Sequence, residues 1–501
     1  MALIDKIGGV KVEAHRPWPR VVVNEAGWGA LIAKLSAGDL TLLGLWGEPN
    51  AVHMAVLDEE TAEIAVATIE CAQGSFPSVG ALHRPAIRFE RALRDLYGLI
   101  PEGLPDPRPW LDHGRWGVRH PLGDREDREE KPPLYAFLPA EGESLHQIPV
   151  GPVHAGIIEP GHFRFTANGE TVVRLEERLG YVHKGIESLM IGAPLDKAAR
   201  IAGRTSGDST VTYALAFARA VEAALKIEAP ARATYLRALM AELERLANHF
   251  GDIGAICNDA SFALMLAQCG ILRERTLRAA DACFGHRLMM DRIVPGGVAH
   301  DLSAEGAATL RALLHELRRV FPRLVELYDN TASLQDRTAA SGVVRPELAR
   351  QFGAGGFVGR ASGRAFDARK RPGYPPYDQL KFDVVQLDAG DVNARVWVRI
   401  REVDQSLNLI EQILRHMPAG PIRIEAGAEA RSGEGMALVE GFRGDVLAWV
   451  RIESGRVARC HLLDPSWLHW PLLEAAIEGN IVADFPLINK SFNCSYSGHD
   501  L

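Results

Sequence analysis

Residues 230–249 read PARATYLRALMAELERLANH. Leu236, Leu239, Met240, Leu243 and Ala247 recur at helical spacing, which predicts a helix opened by Pro230 with one core-facing apolar stripe. The pattern extends outward, upstream over 209–227 and downstream over 266–290, 304–331 and 401–416. This part of the chain therefore predicts a mainly helical body, flanked by a hairpin signal at Asn168-Gly169 between 153–165 and 170–175 and by a hairpin-like stretch at 435–462.

The first part reads differently. A helical stretch at 27–35 precedes strands around 40–46, 52–57 and 64–70. A second helix follows, with Pro85 in its first turn, Phe89, Leu93, Leu96 and Tyr97 on one face, and Gly98 at its end. From Gly123 the composition shifts to DREDREEK, Pro132-Pro133 and polar sequence, the best linker candidate. The expected fold is α+β: a small α+β domain over 1–122, a linker over 123–150, and a mainly helical domain with peripheral hairpins over 151–501. A chain of 501 residues with 47% hydrophobic residues has enough apolar sequence for at least two cores.

A net charge of −8 and a pI near 6.1 give no basic field for phosphates, so no nucleic-acid partner is expected. Cys71, Cys257, Cys269, Cys283, Cys460 and Cys494 lie far apart and form no CxxC pair, so neither a zinc site nor an iron–sulfur cluster is expected in this chain. The N-terminal MALIDKIGGVKVEAHRPW lacks the apolar core of a signal peptide, which predicts a cytoplasmic protein with reduced cysteines. Residues 253–272 are nearly apolar over about the length of a membrane span, but Asn258 and Asp259 favour a buried helix broken at that point.

Several blocks carry a resemblance. FERALRDLYGL at 89–99 and HPLGD at 120–124 resemble the small hydrophilic subunit of respiratory complex I. GPVHAGIIEPGHFRF (151–165), YVHKGIESL (181–189), AELERLANH (241–249), PGGVAHDL (295–302), PPYDQLKFDV (375–384) and DQSLNLIEQIL (404–414) resemble the quinone-site subunit and its relatives, the large subunits of energy-converting NiFe hydrogenases. The fused order is similar to that of hydrogenase-4 and formate hydrogenlyase large subunits.

The resemblance implies a site and a change in it. The family's first nickel-binding cysteine pair falls on Ser206 and Ser209, and the second on Cys494 and Ser497. Three of four thiolates are thus serines, whose hard, protonated hydroxyls do not suit nickel, and no metal is expected. Ser206, Asp208 or Ser209 either caps the following helix or contacts a polar ligand in the vacated space. Cys494 either packs in a core or joins His499 and Asp500 around a metal. His154 and Asp259 match the histidine and aspartate of the quinone site, whereas Ile158 and Gly207 replace its second histidine and its tyrosine. Glu159 matches a proton-relay glutamate, with a turn residue as the alternative, and Arg399, Arg401 and Glu402 are candidates to extend a charged path. His183, Lys184 and His249 match positions that face the terminal iron–sulfur cluster of a neighbouring subunit; a satisfied histidine is the other reading of His249.

Gly353 to Gly356 lacks the strand–turn–helix context of a dinucleotide fingerprint, and the Arg- and Tyr-rich loop 352–377 is expected to cap a site or an interface. The resemblance implies a peripheral-arm subunit on the cytoplasmic side of the inner (cytoplasmic) membrane. It would bind no cofactor itself and pass electrons from the cluster of a small iron–sulfur partner to a quinone or another acceptor. A ferredoxin-like subunit and ion-translocating membrane subunits would complete the assembly. A non-catalytic scaffold and an active hydrogenase are the competing expectations.

Overall fold

The computed structural model describes residues 3–125, 131–425 and 431–501. In the first part, helix Glu25–Ala37 starts where the Asn24 side chain accepts from Gly27 N (2.9 Å) and stops at Gly38 in the left-handed region. It belongs with a five-stranded sheet in the order Val10–Lys11, Arg20–Val23, Glu63–Glu70, Ala51–Asp58, Thr41–Glu48. Thr41–Glu48 is buried on both faces, and its two glycines explain how. A Cβ at Gly44 would meet Leu463 at 2.9 Å, and one at Gly47 would meet Leu93 at 2.7 Å, so other elements press on the strand from either side.

Leu463 belongs to a four-stranded sheet ordered Arg456–Leu463, Asp445–Glu453, Gly433–Glu440, His15–Arg16. The expected hairpin at 435–462 is thus a three-strand meander, and the N-terminal segment adds a fourth strand parallel to Gly433–Glu440. The two parts share this sheet. At the joint Arg20 Nη2 donates to Glu434 Oε2 (2.7 Å), and the rings of Trp46 and His461 stack at 5.4 Å.

His15 is buried in this joint, and burial lowers its pKa from 6.5 to about 4, against the pull of Glu434. Its neutral form therefore contributes stability that is present above pH 6.5 and is lost as the pH falls toward 4, on the order of 3 kcal/mol in all. Acid titration of unfolding should show this slope, and His15→Gln should flatten it. An unchanged slope in the variant would remove His15 as its source.

The helical body forms largely as its periodicity predicts. Thr210–Leu225 lies so close to the second sheet that a Cβ at Gly435 would fall 2.0 Å from Ala220 O. Ala231–Asp259 and Ala263–Phe284 form an antiparallel pair, so the apolar stretch 253–272 is split by a turn after Asp259. Among the described residues no helix is long and apolar enough to cross a membrane.

Helix Val392–His416 begins well before the expected 401, because the Asp391 side chain accepts from Ala394 N (2.7 Å) and starts it there. The segment VNARVWVRI alternates like a strand, yet Arg395 and Arg399 are buried helical residues. The hairpin around Gly169 joins His162–Asn168 to Thr171–Arg178. Its first strand does not start at 153; Pro152 and Pro160 bracket a loop instead. The linker expectation also needs correction. Its last residues form strand Leu145–Val150, paired antiparallel with His162–Asn168, while 126–130 lie outside the described residues.

Candidate functional site

Ser206–Ser209 leads into helix Thr210–Leu225, and the C-terminal residues 493–500 pack against it. Ser206 Oγ and Ser209 Oγ both donate to Asp208 Oδ1, at 2.6 and 3.1 Å. On the other side of that carboxylate Arg443 Nη2 donates to Oδ2 (2.7 Å), and Arg443 Nη1 reaches Ser209 Oγ at 3.2 Å. Arg443 Nε donates to Asn493 O (2.6 Å), and Ser206 Oγ lies 3.1 Å from Ser495 Oγ. An arginine–aspartate ion pair with serine hydroxyls thus joins the turn at 206–209 to the C-terminal segment at 493–495. Burial pushes the Asp208 carboxyl up, but Arg443 and the two hydroxyls outweigh it and hold the pKa below the usual carboxylate value.

The serines do not cap the helix: neither makes a side-chain capping hydrogen bond. That role falls to Glu244 of the neighbouring helix Ala231–Asp259, whose Oε2 accepts from Val211 N (2.7 Å) and whose Oε1 accepts from Thr212 N and Oγ1 (3.1 and 2.6 Å).

The loop after strand Leu145–Val150 brings further expected residues to the same C-terminal segment. Glu159 Oε2 accepts from Ser497 N (2.9 Å), and His154 Nε2 lies 3.4 Å from Tyr496 Oη. Glu159 is exposed, which departs from the partly buried relay carboxylate expected there. Ile158 packs at the core margin. Lys184 Nζ donates to Thr205 O (2.9 Å), and burial lowers its pKa although Glu159 and Asp500 oppose the shift. His183 Nδ1 lies 2.6 Å from Asp500 O, and its ring packs on Trp116 at 4.6 Å. Because a carbonyl oxygen only accepts, Nδ1 carries the proton. His183, Lys184, Glu159, Ser497 and Ser206 therefore share one region.

The two side chains considered beside Cys494, His499 and Asp500, have protein partners. Trp110 Nε1 donates to His499 Nε2 (3.3 Å), so His499 Nδ1 carries the proton given to Asp500 Oδ1 (2.8 Å). The Asp500 carboxylate also accepts from Gly180 N and Val182 N. Cys494 is buried, and burial pushes its thiol pKa far up. Among the described residues no group of three or more His, Cys, Asp or Glu side chains is placed to hold a metal ion.

Two expected site residues lie elsewhere. His249 does not reach the surface of this chain; its Nε2 pairs with Glu402 Oε2 at 2.7 Å, with Phe357 and Phe442 beside the ring. The helix is covered on nearly every side, which a single-stripe reading misses. Asp259 ends that helix beside Lys490, with its pKa raised by burial. Asp252, about 10 Å nearer the helix start, connects to the site instead: its Oδ1 accepts from Asn493 Nδ2 (2.8 Å) and its Oδ2 from Arg399 Nε (3.0 Å).

Arg360, Arg364 and Arg369 of the Arg-rich loop are also interior, whereas Lys370 and Arg371 are exposed. Arg360 bonds Glu402 and Glu440, and Arg369 bonds Asp367 and Glu242, so neither caps an interface. Arg399 and Glu402 are buried while Arg401 is exposed, which breaks the charged path expected of that trio. Sequence reading missed Arg443, Asn493, Asp252, Glu244 and Tyr496. Arg443 offered one signal, its place in the tight turn Phe442-Arg443-Gly444 between two strands.

The chain matches the models of two families, the respiratory-chain NADH dehydrogenase 30 Kd subunit over residues 31–131 and the 49 Kd subunit over residues 259–430. Formate hydrogenlyase subunit 5 of Escherichia coli is 31% identical over 86% of this chain and 78% of its own length. The chain belongs to the formate hydrogenlyase subunit 5 family. Its similarity extends to the C/D subunit of the NADH-quinone oxidoreductase of Bacteroides thetaiotaomicron, 29% identical over 80% of this chain and 78% of that protein. Among solved structures, a chain of the membrane-bound sulfane sulfur reductase, an archaeal respiratory membrane complex, superposes with a TM-score of 0.68 at 26% identity, covering 72% of this chain and 99% of that one.

Proposed function

We propose that this member of the formate hydrogenlyase subunit 5 family is the peripheral-arm subunit of a membrane-bound oxidoreductase without nickel chemistry. It takes electrons from an iron–sulfur cluster in a partner subunit and delivers them to a quinone or another polar acceptor, coupled to ion movement through membrane subunits. The observation that carries the reading is the Arg443–Asp208 pair set among Ser206, Ser209 and Ser495. Hydroxyls and a guanidinium are poor nickel ligands but good hydrogen-bond donors to an oxygen or sulfur that gains charge on reduction. The His183–Lys184 turn supplies a proton-bearing imidazole and a cation for the side where the cluster would dock, and His154 and Glu159 stand on the loop beside the C-terminal segment.

The purified complex is expected to contain no stoichiometric nickel and to reduce no dye with hydrogen, while its prereduced cluster is reoxidised by an added quinone or polysulfide. Stoichiometric nickel with hydrogen-dependent dye reduction would overturn the reading. A scaffold is favoured by one observation: Ser206, Asp208, Ser209 and Arg443 satisfy one another. That alternative predicts cluster reoxidation no faster in the native complex than in one carrying Ser206→Val.

A further inference from the structure

The joint between the two parts encloses a cavity of about 260 Å³. Strand Thr41–Glu48 and helix Ile87–Tyr97 contribute Trp46, Phe89 and Tyr97 to its wall from one side, and Glu187 and Trp467 come from the other, with Trp116 completing the ring of aromatic groups. A space of this size takes a single substituted ring, and walls so rich in aromatic carbon make it a poor place for water alone.

Glu187 breaks the apolar pattern. It is 6% exposed, and its Oε1 accepts from His461 Nδ1 (2.7 Å) and from Leu462 N (3.2 Å). Among the described residues nothing donates to Oε2, and no lysine or arginine pairs with the carboxylate. His461 does not supply the missing charge: its Nε2 is sealed from solvent without a partner, so a second proton on the ring would have no acceptor. Glu187 Oε2 is not sealed in that way, and the cavity is the space that this residue lines. Across the joint Tyr97 is 4% exposed and its hydroxyl makes no hydrogen bond among the described residues; after burial, Glu187 is the group that most raises its pKa. Lys184 also lines the cavity, but its ammonium donates to Thr205 O (2.9 Å), and Asp500 adds a second carboxylate to the wall. A buried carboxylate thus stands beside an aromatic cavity without the cation that buried charges ordinarily have.

We propose that this cavity binds a small organic cation, an aromatic or alicyclic ring bearing an amidinium or ammonium group. The charged group donates to Glu187 Oε2 and Tyr97 Oη, and the ring packs among Trp46, Phe89, Trp116 and Trp467. Aromatic faces carry negative potential and attract such a cation, whereas an anion would meet two carboxylates. A ligand seated there touches helix Ile87–Tyr97 of the first part and helix Ile186–Met190 of the second, so it bridges the joint.

Benzamidine is the probe, with benzamide as its neutral isostere and benzoate as the anion. Titrated into the full chain and followed by tryptophan fluorescence, benzamidine should bind at one site at least about tenfold tighter than benzamide, and benzoate should not bind. Glu187→Gln keeps an acceptor for His461 and for Leu462 N, so the fold should hold. It should weaken benzamidine about tenfold and leave benzamide as it was. Trp116→Leu, which removes a half-buried ring from the wall, should weaken both. Equal affinities for benzamidine and benzamide would refute a cation site, and so would an affinity for benzamidine that Glu187→Gln leaves unchanged. The intact complex separates a free molecule from a side chain of a partner subunit. Binding there as tight as in the free chain supports the proposal, whereas binding to the free chain alone means that a partner's own cation fills the cavity, and the small-molecule site is then wrong. No turnover enters these measurements, so they stand or fall apart from the proposed electron transfer.

Discussion

Glu402→Ala is expected to lower the stability of this protein by about 3–5 kcal/mol, because it removes one partner of a buried ion-pair network. Glu402 is 3% exposed and accepts from Arg360 Nε (2.8 Å) and lies 2.7 Å from both Arg360 Nη2 and His249 Nε2. Its pKa is held well below the carboxylate range: burial opposes ionisation, but Arg360 and His249 outweigh it. Alanine leaves the Arg360 guanidinium with Glu440, Asp367 and the Phe366 carbonyl, and leaves His249 without its Glu402 partner at Nε2. Burying a cation with too little opposing charge costs more than the lost contacts themselves. Glu402→Gln, which keeps the shape and one acceptor, should lose less than alanine while still losing the charge. Denaturant titration of the two variants checks this, and a loss under about 1 kcal/mol for alanine would show that the network does not hold the helices together.

The second large effect concerns metal. Ser206→Cys, Ser209→Cys and Ser497→Cys made together with the native Cys494 should raise the zinc retained after dialysis by about one equivalent over the native chain. The contact between Ser206 Oγ and Ser495 Oγ already holds the two segments together, and Arg443 beside position 209 favours thiolates. Each single variant should retain no more than the native chain, since one or two thiolates leave the ion too few ligands. Elemental analysis after gel filtration decides it. Failure of the triple variant to retain metal would mean that the Arg443–Asp208 pair occupies the space too firmly to yield.

Much of the fold was legible in local pattern. Helix and strand periods and a strong turn signal are short-range properties, and the helices at 209–227 and 304–331 and the Gly169 hairpin fall where those signals put them. The failures are equally physical. VNARVWVRI alternates like a strand, yet the Asp391 cap and the partners found by Arg395 and Arg399 keep it helical. The polar stretch before Val150 carries no strong strand signal, and Leu145–Val150 becomes a strand only because His162–Asn168 offers it an edge.

The site divides in the same way. Sequence placed Ser206, Ser209, Cys494 and Ser497 together through resemblance, and the geometry brings those two segments into contact. Sequence left His249 between a cluster-facing position and a satisfied histidine, and the structure buries it on Glu402. A histidine on the flank of an apolar stripe looks outward until another helix supplies Glu402 to pair with it.

The sequence alone predicts that Ser206, Ser209 and Ser497 do not suit nickel, because ligand softness is a property of residue type. It also determined the family and the order of its parts. What surrounds Ser206 and Ser209 was decided only by tertiary structure. Arg443 lies more than two hundred residues from Asp208 in the chain, and no local signal specifies which buried cation meets which carboxylate. That pairing exists because the turn after strand Gly433–Glu440 and the start of helix Thr210–Leu225 are packed together, and burial then makes an unpaired charge too costly to leave.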